Sequence, residues 1–266
     1  MQNLRIIKIK LAMLCLILAS LAGLTACNDN RLDEVEIAAL KAADYADLNN
    51  LMSLHSWYHA AFKNAEEIEK IWSKRDDIIW AQNWGYWKGR DSIMQYYGRE
   101  APKADKLGGF VWHTITTGAV EIAGDRKTAK GIWYTPGVVG QYGSAGKKSM
   151  GLWMWEKYGV EFIREDGDWK IWHMKVYTDF AVAVGDGIGD KPAMMGPPPT
   201  EAKENSGEMV GSETASTGKT SADQPDYVYQ DQYKGWAPDA EPQLIPRPPE
   251  PYDTWENTWS YINEGE

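Results

Sequence analysis

The chain has 266 residues, 38 acidic against 28 basic, for a net charge of −10. It has no basic cluster of the kind that tracks a phosphate backbone, so no nucleic-acid partner is expected. Two cysteines, Cys15 and Cys27, are too few for a disulfide framework or a thiolate metal site.

Arg5, Lys8 and Lys10 open the chain, and an apolar run follows from Leu11 to Leu24. The run is short for a membrane span and ends abruptly, as a secretory leader does. Leu24-Thr25-Ala26-Cys27 resembles the bacterial lipobox. That resemblance implies removal of residues 1–26 and a diacylated Cys27 that anchors the protein in the cell envelope. Asn28 in place of Asp implies the periplasmic face of the outer membrane. The remaining 240 residues would then hold no cysteine besides the lipidated one.

Asp33 to Leu54 is rich in Ala, Leu and Glu and reads as a helix. Leu51, Leu54, Tyr58 and Phe62 recur at spacings of three and four, which predicts one buried face. A second short helix is expected over Glu66 to Lys74, a strand over Ile78 to Trp80, a turn over Trp87 to Asp91, and a helix over Ser92 to Tyr97 capped by Asp91. After Gly109 the pattern turns to long strands: Phe110 to Ala123, Thr128 to Tyr134, Ser149 to Arg164 and Trp169 to Phe180. Glu165-Asp166-Gly167-Asp168 between the last two is a hairpin signal. In the final strand Trp172, Met174, Val176, Thr178 and Phe180 alternate with His173, Lys175 and Tyr177, predicting one core face. Helices followed by antiparallel strands define α+β, a curved sheet wrapped on the N-terminal helices.

Eleven of the 13 prolines lie after residue 190, and residues 184–266 carry 16 acidic against 5 basic side chains. The chain therefore divides into the leader 1–26, a folded domain 27–183 and an acidic, Pro/Gly-rich tail 184–266. Within the tail, 200–225 reads as disordered. Tyr252, Trp255, Trp259 and Ile262 recur at helical spacing and need a surface to cover them.

Several segments in order resemble one family: Trp84 to Ile93 around Gly89-Arg90, His113 followed by Val120 to Asp125, and Glu165 to Ile171. Together they resemble the SnoaL-like branch of the nuclear transport factor 2-like superfamily over roughly residues 33–183. The resemblance implies a cone-shaped barrel with one mouth, often dimeric through its sheet, and acid–base chemistry in a dry pocket. It maps a helix-one tyrosine onto Tyr58 and a strand histidine onto His113. It also departs from the dehydratase pattern: Lys63 stands where an acid is kept, and Thr178 where an arginine is. Glu156 and Glu161 are substitutes within the strands.

Fourteen tryptophans supply large aromatic surface suited to a flat apolar ligand as well as to a core. Trp84, Trp87, Trp112, Tyr134, Trp153, Tyr158 and His173 are the expected ligand-lining residues. His55 and His59 share a helix face and could join His113 around a metal, but with Tyr58 inward His59 should point away, and no metal or cofactor is expected. The reading is an anchored domain that binds a small apolar or aromatic molecule, with an isomerase- or dehydratase-type proton transfer using His113 as base and Tyr58 as donor. Its alternative is a non-catalytic ligand-binding or assembly lipoprotein.

Overall fold

The computed structural model describes residues 2–100, 109–141, 150–186 and 224–263, with side chains from residue 31 onward. Of the segment 200–225 expected to be disordered, residues 200–223 lie outside the described residues. Two compact units divide the chain, Met1–Ala46 and Asp47–Glu266. Helix α1, Gln2–Ala60, passes through both, extending the predicted helix at each end. Within the first unit, residues 31–40 are exposed.

In the second unit, α1 is followed by α2 (Asn64–Ile71), β1 (Ile79–Gln82), β2 (Gly85–Lys88), α3 (Arg90–Tyr96), β3 (Phe110–His113), β4 (Thr116–Ile122), β5 (Thr128–Gln141), β6 (Met150–Glu165), β7 (Asp168–Ala183) and β8 (Tyr227–Val228). The sheet order is β3-β5-β6-β7-β1-β2-β8, with β4 also on β5. It is curved and unclosed, antiparallel except where β1 runs parallel to β7. The fold is α+β, as expected.

The predicted strand over Phe110 to Ala123 is split. β3 and β4 lie along different stretches of β5, separated by Thr114 and Ile115, and β4 itself carries an irregular step between Thr116 and Ala119, with Thr117 at φ 50°. β2 occupies the expected Trp87 turn. Gly89, at φ 82°, precedes α3, and Asp91 lies inside that helix rather than capping it. The β6–β7 hairpin follows the Asp-Gly signal: Asp166 and Gly167 both take positive φ, 52° and 93°, the geometry of a type I′ turn.

One face of the sheet meets the helices. Leu48 and Met52 of α1, Ile68 and Ile71 of α2, and Ile93 of α3 bury against Val160, Phe162, Ile171 and Met174. Each such side chain removed from water contributes about 1.5–3 kcal/mol. The buried residues of α1 are Asp44, Leu48, Leu51, Met52, His55 and His59. Of the face predicted through Leu51, Leu54, Tyr58 and Phe62, Leu51 is buried and Tyr58 and Phe62 pack partly buried against the core, but Leu54 is 46 % exposed, so the stripe is rotated toward Met52 and His55.

Two bulges alter the predicted faces of β7. Met174, Val176 and Thr178 turn inward, but register shifts opposite Glu161/Phe162 and Trp155/Glu156 put Ile171 in the core and set Phe180 beside Trp155. A bulge adds one residue and reverses alternation beyond it.

The opposite face is partly covered by residues 224–263, which belong to the segment read as tail. Their partner surface is the domain's own sheet. β8 extends the sheet from β2, Tyr229 and Ile262 bury with Ile79 and Ala81, and Tyr261 is fully buried over Gly159. The predicted amphipathic helix is instead two 3₁₀ turns, Trp255–Asn257 and Tyr261–Asn263. The prolines between residues 246 and 251 keep the approach extended, and the rings dock one at a time.

Candidate functional site

His113 ends β3 and points to the helix side, where it is 3 % exposed. Its strand partner is Gly137, where a Cβ would come within 2.7 Å of the imidazole Cδ2. A side chain there would evict the ring. Ser56 of α1 donates to the His113 carbonyl at 2.5 Å, tying helix to strand at this point.

Glu156, 3 % exposed, reaches His113 Nδ1 with Oε2 at 2.9 Å. The other carboxylate oxygen accepts from Thr178 Oγ1 at 2.7 Å. Thr178 is held by Asn83, whose side chain bonds both its amide and its carbonyl, at 2.9 and 2.8 Å. Tyr158 Oη lies 3.2 Å from His113 Nδ1. An ionised carboxylate offers only lone pairs, so the ring proton belongs on Nδ1. His113 Nε2 is buried without a hydrogen-bond partner. An imidazole oriented by a carboxylate at one nitrogen and free at the other is arranged to act as a general base.

A second polar cluster adjoins it. Glu67 of α2, fully buried, accepts from Trp72 Nε1 at 2.9 Å and Tyr97 Oη at 2.7 Å, and meets His55 Nδ1 at 2.8 Å. His59 lies between the clusters, stacked 5.9 Å from His55 and edge-on 5.3 Å from His113. The expectation that His59 points away is thus corrected, because the α1 stripe is rotated. Among the described residues no group of three or more His, Cys, Asp or Glu is arranged to hold a metal ion.

Of the predicted residues, the structure brings His113 and Tyr158 together. It does not bring Tyr58 to His113: Tyr58 is half-buried, with the Lys70 ammonium 5.8 Å over its ring, and no hydrogen bond joins the pair. Trp84 and Trp87 are core, Trp87 stacking on Tyr96 at 3.8 Å. Trp112, Tyr134 and Trp153 stand on the outer face, 59, 43 and 50 % exposed. His173 is also outward, covered by the C-terminal segment, with Nδ1 2.6 Å from Glu161 and Nε2 3.0 Å from the Asp77 carbonyl. A cleft of about 700 Å³ lies there, lined by His173, Arg247, Trp255 and Trp259 among others. It is remote from the chemistry of His113, whose own claim rests on geometry. Glu156 was legible only as a substitute and His55 only as a possible metal ligand, and Glu67 and Tyr97 were missed. The four-residue step from His55 to His59, continuing Leu48 and Met52, was the available signal.

The domain is thus a curved α+β sheet packed on helices, with a carboxylate-held histidine facing inward. The chain belongs to the SnoaL-like domain family, whose model matches residues 41–175. Among solved structures it is similar to a type 2 hexachlorocyclohexane dehydrochlorinase, LinA (17 % identity, 54 % of this chain and 90 % of that one, TM-score 0.44). It is also similar to the type 3 enzyme of Novosphingobium barchaimii (17 %, 55 and 92 %, TM-score 0.44). A third is an NTF2-like protein with a cystatin-like fold from Novosphingobium aromaticivorans (17 %, 53 and 86 %, TM-score 0.41). No curated protein matches the chain.

Proposed function

We propose that this SnoaL-like domain binds a small apolar or aromatic molecule on the helix side of its sheet and carries out a proton transfer of the isomerase or lyase type. The observation that carries the reading is His113, buried, held at Nδ1 by Glu156 and unpartnered at Nε2. His113 Nε2 would take a proton from carbon beside a carbonyl, and Glu156 would stabilise the imidazolium so formed. In the place first assigned to Tyr58, Tyr158 is the hydroxyl beside the base. The test follows loss of the α-proton of aryl ketones in D₂O by NMR. Wild type should exceed buffer. His113→Ala should return the rate to buffer, and Glu156→Ala should lower it by ~10²–10⁴-fold, the usual range for an acid–base contribution. Wild-type rates at buffer level across the ketones would overturn the proposal.

The non-catalytic alternative has its own support in the exposed aromatic strip of Trp112, Tyr134, Trp153 and Trp155 on the outer face. A self-associating lipoprotein would use it. Sedimentation that stays monomeric in wild type removes that reading. Anchoring through a lipid on Cys27 is part of both proposals and rests on the lipobox alone.

A further inference from the structure

We infer that His55 is a second ligand-binding imidazole, and that the molecule taken beneath the sheet carries a hydroxyl group on an aromatic or compact apolar frame. The inference rests on the small-molecule reading of the His113 site and names the ligand's polar function.

Glu67 accepts hydrogen bonds from Trp72 and Tyr97, and as an acceptor toward His55 as well it sets the ring proton on His55 Nδ1. In that tautomer Nε2 carries a lone pair. His55 Nε2 is buried and has no partner, and the ring is 2 % exposed. His113 repeats the arrangement with Glu156. Both rings meet Tyr158, His55 edge-on at 5.4 Å and His113 through its Nδ1 at 3.2 Å. A third buried polar atom without a partner, Thr135 Oγ1, belongs to the residue directly opposite Glu156 in the β5–β6 register. Three such atoms thus come from α1, β3 and β5, two of them on rings that meet Tyr158.

Buried polar groups are ordinarily paired, and unpaired ones cluster where a ligand or water completes them. Two neutral imidazole nitrogens are acceptors, so what completes them is a donor. The neighbouring side chains Trp72, Trp133 and Phe162 are apolar-faced. A hydroxylated ring supplies both the donor and the apolar body.

The experiment compares 4-methylphenol, which stays a protonated hydroxyl donor at neutral pH, with 4-methylanisole, the same frame without the donor, binding to the full chain. Wild type should prefer the phenol by tenfold or more, and His55→Gln should lose that preference while binding the anisole as before. A variant that merely misfolds would lose both probes, so wild-type protein with ¹⁵N-labelled histidine provides a second reading. The His55 Nε2 resonance should move on adding the phenol and stay on adding the anisole. An unchanged preference in His55→Gln, or an unmoved Nε2 resonance, overturns the inference and leaves the His113 base standing. Failure of wild type to bind either probe overturns the inference, whereas the His113 base falls only with the ketone exchange.

Discussion

Glu161 is the place to test how the C-terminal segment is held. Its fully buried carboxylate accepts from the Tyr261 amide at 2.6 Å and from Ser260 Oγ at 3.0 Å, and it meets His173 Nδ1 at 2.6 Å. Glu161→Ala strands three donors at once. Each hydrogen bond to a charged group contributes about 1.5–3 kcal/mol, but the three share one carboxylate and do not add. Breaking a buried charged pair from one side costs about 3–5 kcal/mol, which is the loss expected here. Because Glu161 sits on the outer face, the loss should fall on docking of residues 252–263 and spare the helix-side core. Amide exchange of Tyr261 and Ile262 should quicken by ~10²–10³-fold, at about 1.4 kcal/mol per decade. Exchange of Val160 and Met174 amides should change much less. Tail amides that keep wild-type protection, with a urea-unfolding loss under about 1 kcal/mol, would refute the claim that this carboxylate latches the segment.

Gly159→Ala should loosen the same contact, because its Cβ would lie 2.8 Å from Tyr261 Cδ1 and Cγ. An overpacking cost of about 1–3 kcal/mol is expected in thermal or urea unfolding. The Arg75 guanidinium, together with the Trp172 N–H, holds the Asp77 carboxyl down to about 2 from its ordinary 3.8, against the opposing effect of burial. The charged form is favoured in the fold, so its stability contribution is complete above about pH 4–5 and is lost as pH falls toward 2. Asp77→Asn should therefore be less stable than wild type at neutral pH and converge with it near pH 2 in acid titrations of stability. Cys27→Ala should release the protein from membrane fractions, since the diacyl anchor supplies most of the affinity. Retention equal to wild type would dispose of the lipid-anchor proposal.

Local signals determined a good deal by themselves. Asp166-Gly167 set the β6–β7 hairpin because a turn with two positive φ angles tolerates few other residues. The long alternating runs on either side of it made β6 and β7, and the switch from helical to strand period after Gly109 made the α+β class. His113 was legible as an inward histidine near a strand end. What tertiary structure decided were facings. Which stripe of α1 is buried depends on the sheet it meets, and that choice exchanged Tyr58 for His55 and His59. Two bulges in β7 reversed its side-chain alternation, putting Ile171 in the core and Phe180 outside, while β6 alternates unbroken from Leu152 to Phe162 and carries Glu156 inward, level with Thr178. The aromatic C-terminal residues had a helical spacing, yet their partner was the polar outer face of the same sheet, with Glu161, Lys130 and His173. Periodicity reports that an apolar face exists. Only the packed surface opposite it, through shape and unpaired polar groups, determines where that face goes.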